Sequence, residues 1–334
     1  MIGERTELLK AQPRVIVGLG EILWDIFPEG ARLGGAPANF AVMAGRLGNR
    51  AVVASRLGED DLGSQALQIL KSMPVDTEYL QKDPAYATGT VTVSVETGEP
   101  EYVIHEPVAW DQLTMTPQWE DLAQHADAVC FGTLAQRSAT SRATIQQFLD
   151  KSRPDSVRIF DVNLRAPFWS ADVLRESLGR ATILKLNAFE LPQVLLSTGA
   201  CPDPASADND EDILRGARRL LERYPVQLVC VTMGARGSLL ATRSEFHRHP
   251  GLAAQVKDTV GAGDAFTAAL AHYYLEQASL PILNEAGNRW GAWVASQSGG
   301  MPPLSEETLA EIRAQIHSHR IPSSANMGSF EEHN

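Results

Sequence analysis

The sequence predicts an α/β fold in which helices cover both faces of an open, mainly parallel sheet, with a small β lid added to it. Short apolar runs rich in β-branched residues alternate with helix-length amphipathic segments, and one segment has the period-two pattern of a hairpin. Strands covered by helices on both faces have such continuous apolar runs, and the regular alternation is typical of βαβ units. The predicted strands are residues 15–19, 51–54, 128–131, 157–160, 181–186 and 227–232. The predicted helices are residues 36–47, 62–71, 141–151, 171–178, 210–223, 264–274, 281–298 and 305–317.

The alternating segment covers residues 88–106. Val91, Val93 and Val95 fall on one face and hydroxyl side chains on the other, which predicts a β-hairpin with one buried and one open face. An exposed hairpin inserted into an α/β domain is a candidate for a lid over a binding site, so we predict a lid formed by residues 22–27 and 88–106. Its apolar face would also favour a homodimer formed through the lid.

Composition and charge argue against several classes of protein. The 334 residues carry a formal net charge of −12 and no long run of lysine and arginine, which disfavours a nucleic-acid-binding protein. No apolar run approaches the roughly 18 residues of a membrane-spanning helix, and the first residues lack the apolar stretch of a signal peptide. The three cysteines form no CxxC pair, as expected of a reduced protein in the cytoplasm. We predict one domain over residues 14–320, with flexible tails at residues 1–13 and 321–334.

The strongest chemical signal lies in residues 257–266, which read KDTVGAGDAF. Gly261, Ala262 and Gly263 form a small-residue loop directly before a predicted helix, so their amides can point at one place near a helix N-terminus. Such a nest suits a phosphoryl group that gathers negative charge during its transfer. Asp264 stands beside it and could accept the proton of an attacking hydroxyl. The plainer alternative is that the aspartate caps the helix and the glycines only turn the chain.

A second signal lies in residues 33–41, which read LGGAPANFA. Gly34 and Gly35 lead into a helix with Pro37 in its first turn, where proline is favoured. Asn39 lies in the same turn, where its amide can donate and accept hydrogen bonds with a polyol. In an open α/β sheet such loops gather at the carboxyl edge of the strands, so this loop and the one before Asp264 could face one crevice. Taken alone, the motif is equally compatible with an ordinary loop-to-helix turn.

Together and in this order, the two segments resemble the paired signatures of the ribokinase-like carbohydrate kinases, the PfkB family. The resemblance extends over residues 15–303 and implies an ATP-dependent sugar kinase with a ribokinase-like fold. Further segments that resemble this family are Gly20-Glu21 followed by Asp25, RLGEDDLG at residues 56–63, DVNLR at residues 161–165, NAFE at residues 187–190 and TMGARG at residues 232–237.

The resemblance implies a role for each matching residue. Asp264 would be the general base, and the anion hole would be formed by Gly261, Ala262 and Gly263. The sugar would be held by Asp25, Gly34, Gly35 and Asn39, and two residues that follow predicted strands, Gln136 and Arg165, could reach the same pocket. ATP would lie against Asn187, Glu190, Thr232, Gly234 and Gly237. Glu190 would help to hold Mg²⁺, directly or through water, and Asp258 would lie nearest to the K⁺ ion that many family members use.

Simpler interpretations exist for the single residues. Asp25 could be a surface carboxylate, Asn187 could cap the helix that follows it, and Arg165 could be a solvated loop charge. Gln136 is equally compatible with a loop surface. The implied roles therefore depend on these residues meeting at one site.

Four segments resemble the fructokinase branch of the family: GEILWD at residues 20–25, GEPEY at residues 98–102, VAWD at residues 108–111 and FGTLAQRS at residues 131–138. Fructose, phosphorylated at O6, is therefore the expected sugar. Arg165 could instead pair with the carboxylate of a sugar acid, which makes 2-keto-3-deoxygluconate the main alternative, and other sugars or nucleosides stay open. A different class is a non-catalytic sugar-binding regulatory protein, which would have no need of Asp264. A dinucleotide oxidoreductase is disfavoured because no third glycine follows Gly18 and Gly20.

Overall fold

The computed structural model describes residues 13–28, 30–94, 101–201 and 209–318 of the chain. The predicted tails, apart from Pro13, and the hairpin turn with Val95 lie outside the described residues. Within the described ranges, no helix combines the length and the apolar character that crossing a membrane requires.

The described residues form thirteen strands and ten α-helices. The strands are β1 (Val15–Leu19), β2 (Leu23–Phe27), β3 (Gly30–Gly34), β4 (Arg50–Gly58), β5 (Leu80–Asp83), β6 (Gly89–Ser94), β7 (Glu101–Ile104), β8 (Ala128–Phe131), β9 (Val157–Asp161), β10 (Ile183–Asn187), β11 (Leu228–Thr232), β12 (Ser238–Ala241) and β13 (Phe246–His249). The helices are α1 (Ala36–Arg46), α2 (Asp61–Lys71), α3 (Pro117–His125), α4 (Ala139–Lys151), α5 (Ala171–Leu178), α6 (Glu190–Thr198), α7 (Asp210–Arg223), α8 (Ala262–Leu275), α9 (Leu280–Ala295) and α10 (Glu306–Ser318).

The large sheet has nine strands in the order β13-β12-β11-β10-β9-β8-β1-β4-β5. Neighbouring strands from β11 to β5 run parallel, whereas β12 pairs antiparallel with both β11 and β13. This confirms the predicted mainly parallel sheet. The chain builds from β1 outwards through β4 in one direction and from β8 in the other, so the order reverses between β1 and β8. Ligands of open α/β sheets bind outside the carboxyl ends of the strands at such a point.

Two hydrophobic layers cover the two faces of this sheet. Successive side chains of a strand point to opposite faces, so Ile16 and Val17 of β1 enter different layers. Ile16 lies in the layer that contains α1, α8, α9 and α10, with the fully buried Trp290. Val17 lies in the layer that contains α3 to α7, with the buried Trp119. Because both faces are buried, the strands need the continuous apolar runs from which they were predicted.

A second sheet of four strands, in the order β3-β2-β6-β7, lies beside the large one. The predicted hairpin is present, since β6 and β7 pair antiparallel with Val91 opposite Ile104. Val91 is buried and Thr92 is exposed, as the alternation predicts. Strand β2 joins the hairpin through parallel pairing with β6, which agrees with the predicted contribution of residues 22–27. That this small sheet acts as a lid stays a prediction.

Some elements were not predicted and one helix begins earlier than predicted, each for a physical reason. The edge strands β5 and β13 read LQKD and FHRH, without an apolar run, because one side of an edge strand faces water. Helix α6 contains Pro192, which reads as a helix breaker although its place in the first turn needs no amide hydrogen. Helix α8 begins at Ala262, two residues before the predicted start, because Gly261 at its N-cap supplies the left-handed backbone that allows the chain to enter the helix.

Helix α9 packs closely against helix α8. A Cβ at Gly287 of α9 would lie 2.6 Å from a ring carbon of Phe266 in α8, so a larger residue at this position would require the Phe266 ring to move. The position of the α8 N-terminus above the sheet therefore depends on the packing of α9.

Asp60 joins helix α2 to the small sheet. Its Oδ1 accepts hydrogen bonds from the Gly63 amide and from the Thr88 hydroxyl, both at 2.7 Å. Its Oδ2 accepts from the Thr88 amide, also at 2.7 Å, directly before β6. Burial alone would raise the pKa of Asp60, but the hydrogen bonds from Thr88 and Gly63 outweigh burial and hold this pKa below its ordinary value.

We predict that Asp60→Ala destabilises the fold by about 1–3 kcal/mol, because it leaves buried donors unpaired. The control is Asn209→Ala, which removes a cap bond of 2.9 Å within α7 alone and should cost about 1 kcal/mol or less. The pKa of Asp60 is lowered in the folded state, so its contribution is complete above the unfolded pKa of about 3.9 and is lost as the pH falls through the folded pKa. Urea unfolding at neutral pH and near pH 3 measures both effects. Equal losses for the two variants, or a loss that does not change with pH, would contradict this account.

Candidate active site

The candidate residues meet at the carboxyl edge of the parallel strands. Asn187 ends β10 and lies opposite Thr232, which ends β11. Arg165 follows β9, and Glu21 follows β1. A small cavity of about 10 Å³, lined by Glu21, Asp161 and Asp264 among others, marks the point between β1 and β8 where the strand order reverses. The expected location of a ligand site therefore coincides with three carboxylates, of which Glu21 and Asp161 are buried and Asp264 is partly exposed.

Asp264 and Asn39 form the central contact. The amide Nδ2 of Asn39 donates a hydrogen bond of 2.8 Å to Oδ2 of Asp264, across the contact between α1 and α8. A carboxylate only accepts, so the amide must turn its nitrogen towards Asp264. Oδ1 of Asn39 then has no hydrogen-bond partner among the described residues and lies against Gly300, where a Cβ would come within 2.7 Å. Asn39 thus orients the Asp264 carboxylate.

Asp264 lies in the first turn of α8, and its N-cap Gly261 has a φ of 76°. The amides of a first turn have no acceptor within the helix and are available to an anion. Of the three predicted anion-hole amides, that of Ala262 makes a long hydrogen bond of 3.3 Å to the Thr259 carbonyl. The residues from Gly261 to Gly263 therefore form the N-terminus of α8, with the Asp264 carboxylate beside it.

The surroundings of Asp264 raise its pKa to about 6. Burial is the largest cause and the negative charge of Asp161 adds to it, whereas the hydrogen bond from Asn39 and the cations Lys185 and Arg165 act in the opposite direction. A carboxylate with this pKa is ionised at neutral pH yet basic enough to take a proton, which suits a general base.

Glu21 was not predicted as a site residue. Only 3% of it is exposed, and Oε2 has no hydrogen-bond partner among the described residues. Its pKa is raised to about 7: burial is the largest cause and the negative charge of Asp264 adds to it, whereas its own amide, Arg165 and the Ala36 amide act in the opposite direction. The signal in the sequence was a carboxylate directly after the first buried strand, Gly20-Glu21, where the strand order reverses.

Asp161 and Lys185 were also missed. Nζ of Lys185 donates to both carboxylate oxygens of Asp161, at 3.0 and 3.1 Å, and the Thr267 hydroxyl donates to Oδ2 at 2.9 Å. Burial alone would lower the pKa of Lys185, but the negative charges of Asp161, Glu190 and Asp264 outweigh it and raise this pKa above its ordinary value. The signal was a lysine inside an otherwise apolar strand.

Asn187 and Glu190 cap each other. Oδ1 of Asn187 accepts from the amides of Phe189 and Glu190, at 2.9 and 3.0 Å, and Oε2 of Glu190 accepts from the Asn187 amide at 2.8 Å. Oε1 of Glu190 accepts from the Leu164 amide at 2.8 Å, which ties the loop after β9 to the loop after β10. The capping role of Asn187 is therefore present. Both oxygens of Glu190 already accept amide hydrogens, so the residue fits a metal contact through water better than a direct one.

The other predicted ATP residues surround the end of β11. Gly234 has a φ of 57° and open space at its Cβ position. Gly237 differs, because a Cβ there would lie 2.1 Å from the His249 carbonyl oxygen, so its glycine is required by the packing of two loops. Thr232 stands next to Asn187, with its hydroxyl 3.5 Å from the Leu186 carbonyl.

Asp258, the predicted K⁺ neighbour, holds three segments together. Its Oδ1 accepts from the Val260 amide at 3.0 Å and its Oδ2 from the Gly299 amide at 3.0 Å. Arg32 of β3 lies 3.5 Å from Oδ2. No group of three or more histidine, cysteine or acidic side chains arranged to hold a metal occurs in the ranges that the structure describes.

The small sheet brings Asp25 and the two glycines to the site. A Cβ at Gly34 would lie 2.9 Å from Oδ2 of Asp25, and a Cβ at Gly35, which has a φ of 110°, would lie 2.5 Å from the Glu21 carbonyl oxygen. Burial raises the pKa of Asp25, Arg165 lowers it, and Asp258 raises it again. Arg165 itself is exposed, and its charge acts on Glu21, Asp25 and Asp264 alike. These residues share one environment.

Gln136 is not brought to the site, which corrects its predicted contact with the sugar. Its Nε2 donates to the Gly132 carbonyl at 2.7 Å and to the Ser177 hydroxyl at 3.0 Å, and its Oε1 accepts from Gln146 at 2.5 Å. A short 3-10 turn after β8, at residues 134–136, directs the side chain between α4 and α5. Its neighbour Arg137 is likewise engaged, in a bidentate pair with Asp111 at 2.8 Å.

We predict that Gly261→Ala destabilises the protein more than Gly299→Ala. Both glycines have a φ of 76°, so alanine at either position pays the same left-handed strain of about 1–2 kcal/mol. A Cβ at Gly299 meets nothing within 4 Å, whereas one at Gly261 would lie 2.4 Å from the Gly300 Cα. Urea unfolding of both variants measures the difference, which should be about 1–3 kcal/mol for the added overlap. Equal losses would show that the first turn of α8 is not held against Gly300.

Comparison with known proteins identifies the family of the chain. The model of the "pfkB family carbohydrate kinase" matches residues 30–307. A putative sugar kinase from Pyrococcus horikoshii is 30% identical over 286 residues, which cover 80% of this chain and 85% of that protein. A fructokinase from Klebsiella pneumoniae is 32% identical over 268 residues, which cover 75% of this chain and 81% of that protein.

Solved structures are similar as well. The Pyrococcus horikoshii sugar kinase in complex with ATP has a TM-score of 0.74 and 27% identity, and covers 90% of this chain and 99% of its own. The Vibrio cholerae fructokinase, solved with fructose, ADP and a calcium ion, has a TM-score of 0.74 and 26% identity, and covers 91% of this chain and 99% of its own. Fold, site geometry, family match and relatives lead to one conclusion: the chain belongs to the pfkB family of carbohydrate kinases.

Proposed function

We propose that this carbohydrate kinase transfers the γ-phosphoryl group of ATP to O6 of fructose, with Asp264 as the general base. The observation that carries this proposal is the Asp264 carboxylate, partly buried in the first turn of a helix and oriented by Asn39 at 2.8 Å. The choice of fructose rests on the resemblance to fructokinases, several of which are among the relatives.

Different residues of the site would bind the sugar and ATP. Asp25, Gly34, Gly35, Asn39 and Arg165 face the sugar, and Asp264 takes the proton from the attacking hydroxyl. The amides of Gly261, Ala262 and Gly263 then stabilise the charge that develops on the transferring group, as preorganised donors do at a helix N-terminus. The ATP side is formed by Asn187, Thr232, Gly234 and Gly237.

Two cations belong to the proposal. Mg²⁺ neutralises charge on the phosphate oxygens when it is bound, and Glu190 would hold it through water, because amides occupy both carboxylate oxygens. A K⁺ ion would lie near Asp258, beside the loop before α8. Neither changes the roles given to the side chains.

The small sheet is proposed to act as a lid and as a dimer contact. It carries Asp25, so its movement over the sugar would both position a ligand and exclude water. Val103 of β7 is 53% exposed, an apolar side chain in the open part of this sheet that would be covered by a second copy.

A second candidate substrate is 2-keto-3-deoxygluconate, and Arg165 favours it. Arg165 is exposed, and in the described contacts its guanidinium donates only to its own loop, to the Leu164 carbonyl at 3.1 Å. A sugar carboxylate could therefore form a bidentate pair with it.

Asp264→Asn should lower kcat by about 10²–10⁴-fold while the fold is retained, because asparagine keeps the size of the side chain and cannot accept the proton. A coupled ADP assay with Mg²⁺ and K⁺ measures turnover of fructose, glucose, ribose, adenosine, fructose 6-phosphate and 2-keto-3-deoxygluconate. We expect selective turnover of fructose by the unmodified enzyme. Near-normal turnover by the variant would remove Asp264 from the role of base.

The pH dependence should follow Asp264. Only its ionised form takes a proton, so kcat should fall as the pH is lowered through about 6, the raised pKa of this carboxylate.

Arg165→Gln removes a cation that lowers the pKa of Asp264 and should move the acid limb of kcat to higher pH with fructose as the substrate. If the sugar acid is the true substrate, the same variant should instead raise KM for that substrate by about 10-fold or more, which is about 1.4 kcal/mol of lost binding. An unchanged profile and unchanged KM for both substrates would place Arg165 outside the site.

A further inference from the structure

A buried ion pair lies directly beneath the first turn of α8. Lys185 of β10 and Asp161 of β9 are only 8% and 5% exposed, and they lie opposite each other in the sheet. Two charges are costly to remove from water, and a pair of this kind contributes little net stability compared with apolar residues of the same volume. Its presence in the middle of a sheet therefore calls for a reason other than stability.

The ammonium group lies against the predicted anion hole. A Cβ at Gly263 would lie 3.0 Å from Nζ of Lys185, so nothing separates the charge from the backbone of that residue. The Thr267 hydroxyl, one turn further along α8, contacts both Oδ2 of Asp161 and the Gly263 carbonyl at 2.9 Å. The ion pair is thus connected to the loop at two points.

Lys185 has hydrogen-bonding capacity to spare. An ammonium group carries three donors, and in the described contacts both of its hydrogen bonds go to Asp161. Around it stand the carboxylates of Asp161, Glu190 and Asp264 and the buried thiols of Cys130 and Cys230. Lys185 is therefore a buried cation in a strongly acidic environment, close to where a phosphoryl group with several negative oxygens would arrive.

We propose that Lys185 is the fixed cation of the phosphoryl-transfer site, which stabilises the charge of the transferring group from beneath the Gly261–Gly263 amides, and that Asp161 and Thr267 position it. This inference rests on the proposed function and adds to it a residue for the phosphate side. The negative neighbours keep Lys185 protonated across the working pH range, so its charge is available throughout.

The test distinguishes the effect of the Lys185 charge on kcat from the effect of its substitution on stability. Lys185→Met leaves Asp161 buried and unpaired, so it should lower both Tm and kcat. The double variant Asp161→Asn with Lys185→Met removes both charges and should recover most of the Tm, because a neutral pair leaves no isolated charge. We expect kcat of the double variant to stay reduced by about 10²–10³-fold, the usual loss for one preorganised donor. Recovery of kcat together with Tm would overturn the proposal.

A matched control is the Arg56–Asp83 ion pair at 2.7 Å, which joins β4 and β5 at the far edge of the sheet. The double variant Arg56→Met with Asp83→Asn should leave kcat unchanged. A similar fall in kcat there would show that any removed ion pair impairs turnover, and would also overturn the proposal.

Binding provides a measure that does not need turnover. Only ATP carries the γ-phosphoryl group, so the Asp161→Asn, Lys185→Met variant should lose about 10-fold or more in ATP affinity by calorimetry, with a smaller change for ADP. Equal losses for both nucleotides would contradict the proposal. If the unmodified enzyme turns over no sugar in the panel, the proposed substrate fails, while the comparison of ATP with ADP still decides the role of Lys185. Lys185→Met alone should also move the acid limb of kcat to higher pH, because a cation that lowers the Asp264 pKa is lost. The double variant should not show this shift, because it also removes the charge of Asp161, which raises the same pKa more strongly.

Discussion

The hydrogen bond between Asn39 and Asp264 joins two helix N-termini that are 225 positions apart in the chain. It can form only because α1 and α8 lie side by side on one face of the sheet, in the layer that contains Trp290. The order of the strands places β1 inside the sheet, between β8 and β4, so that α1 begins above the point where the order reverses. The geometry of the site is therefore a consequence of how one hydrophobic layer is packed.

Charge distribution follows from the same packing. Glu21, Asp161 and Asp264 line one cavity. Burial raises the pKa of Glu21 and of Asp264, the charge of Asp264 adds to the rise for Glu21, and the charge of Asp161 adds to the rise for Asp264. Two cations oppose this, Lys185 from inside the sheet and Arg165 from the exposed rim. The site thus holds its carboxylates in an environment where small displacements of either cation change their proton affinity.

The sequence was informative wherever function is carried by a local pattern. The loop before α8, the loop before α1 and the buried strands all show in the order of residues, because glycines, apolar runs and helix starts are local properties. Glu21 and Lys185 were missed because their meaning depends on neighbours from other strands. The predicted contact of Gln136 with the sugar was wrong for a related reason. Gln136 follows β8, as a site residue would, but a short turn directs its side chain into the interior.

The contact between Gly287 and Phe266 lies away from the candidate site but involves α8, the helix that carries Asp264. A larger residue at position 287 would overlap the ring of Phe266, which lies in the same helix as Asp264, without touching any substrate. The tolerance of the loop before α8 to sequence change then depends partly on a helix on its far side. Substitutions in α9 and in the loop are therefore interdependent, and their effects on activity will not simply add.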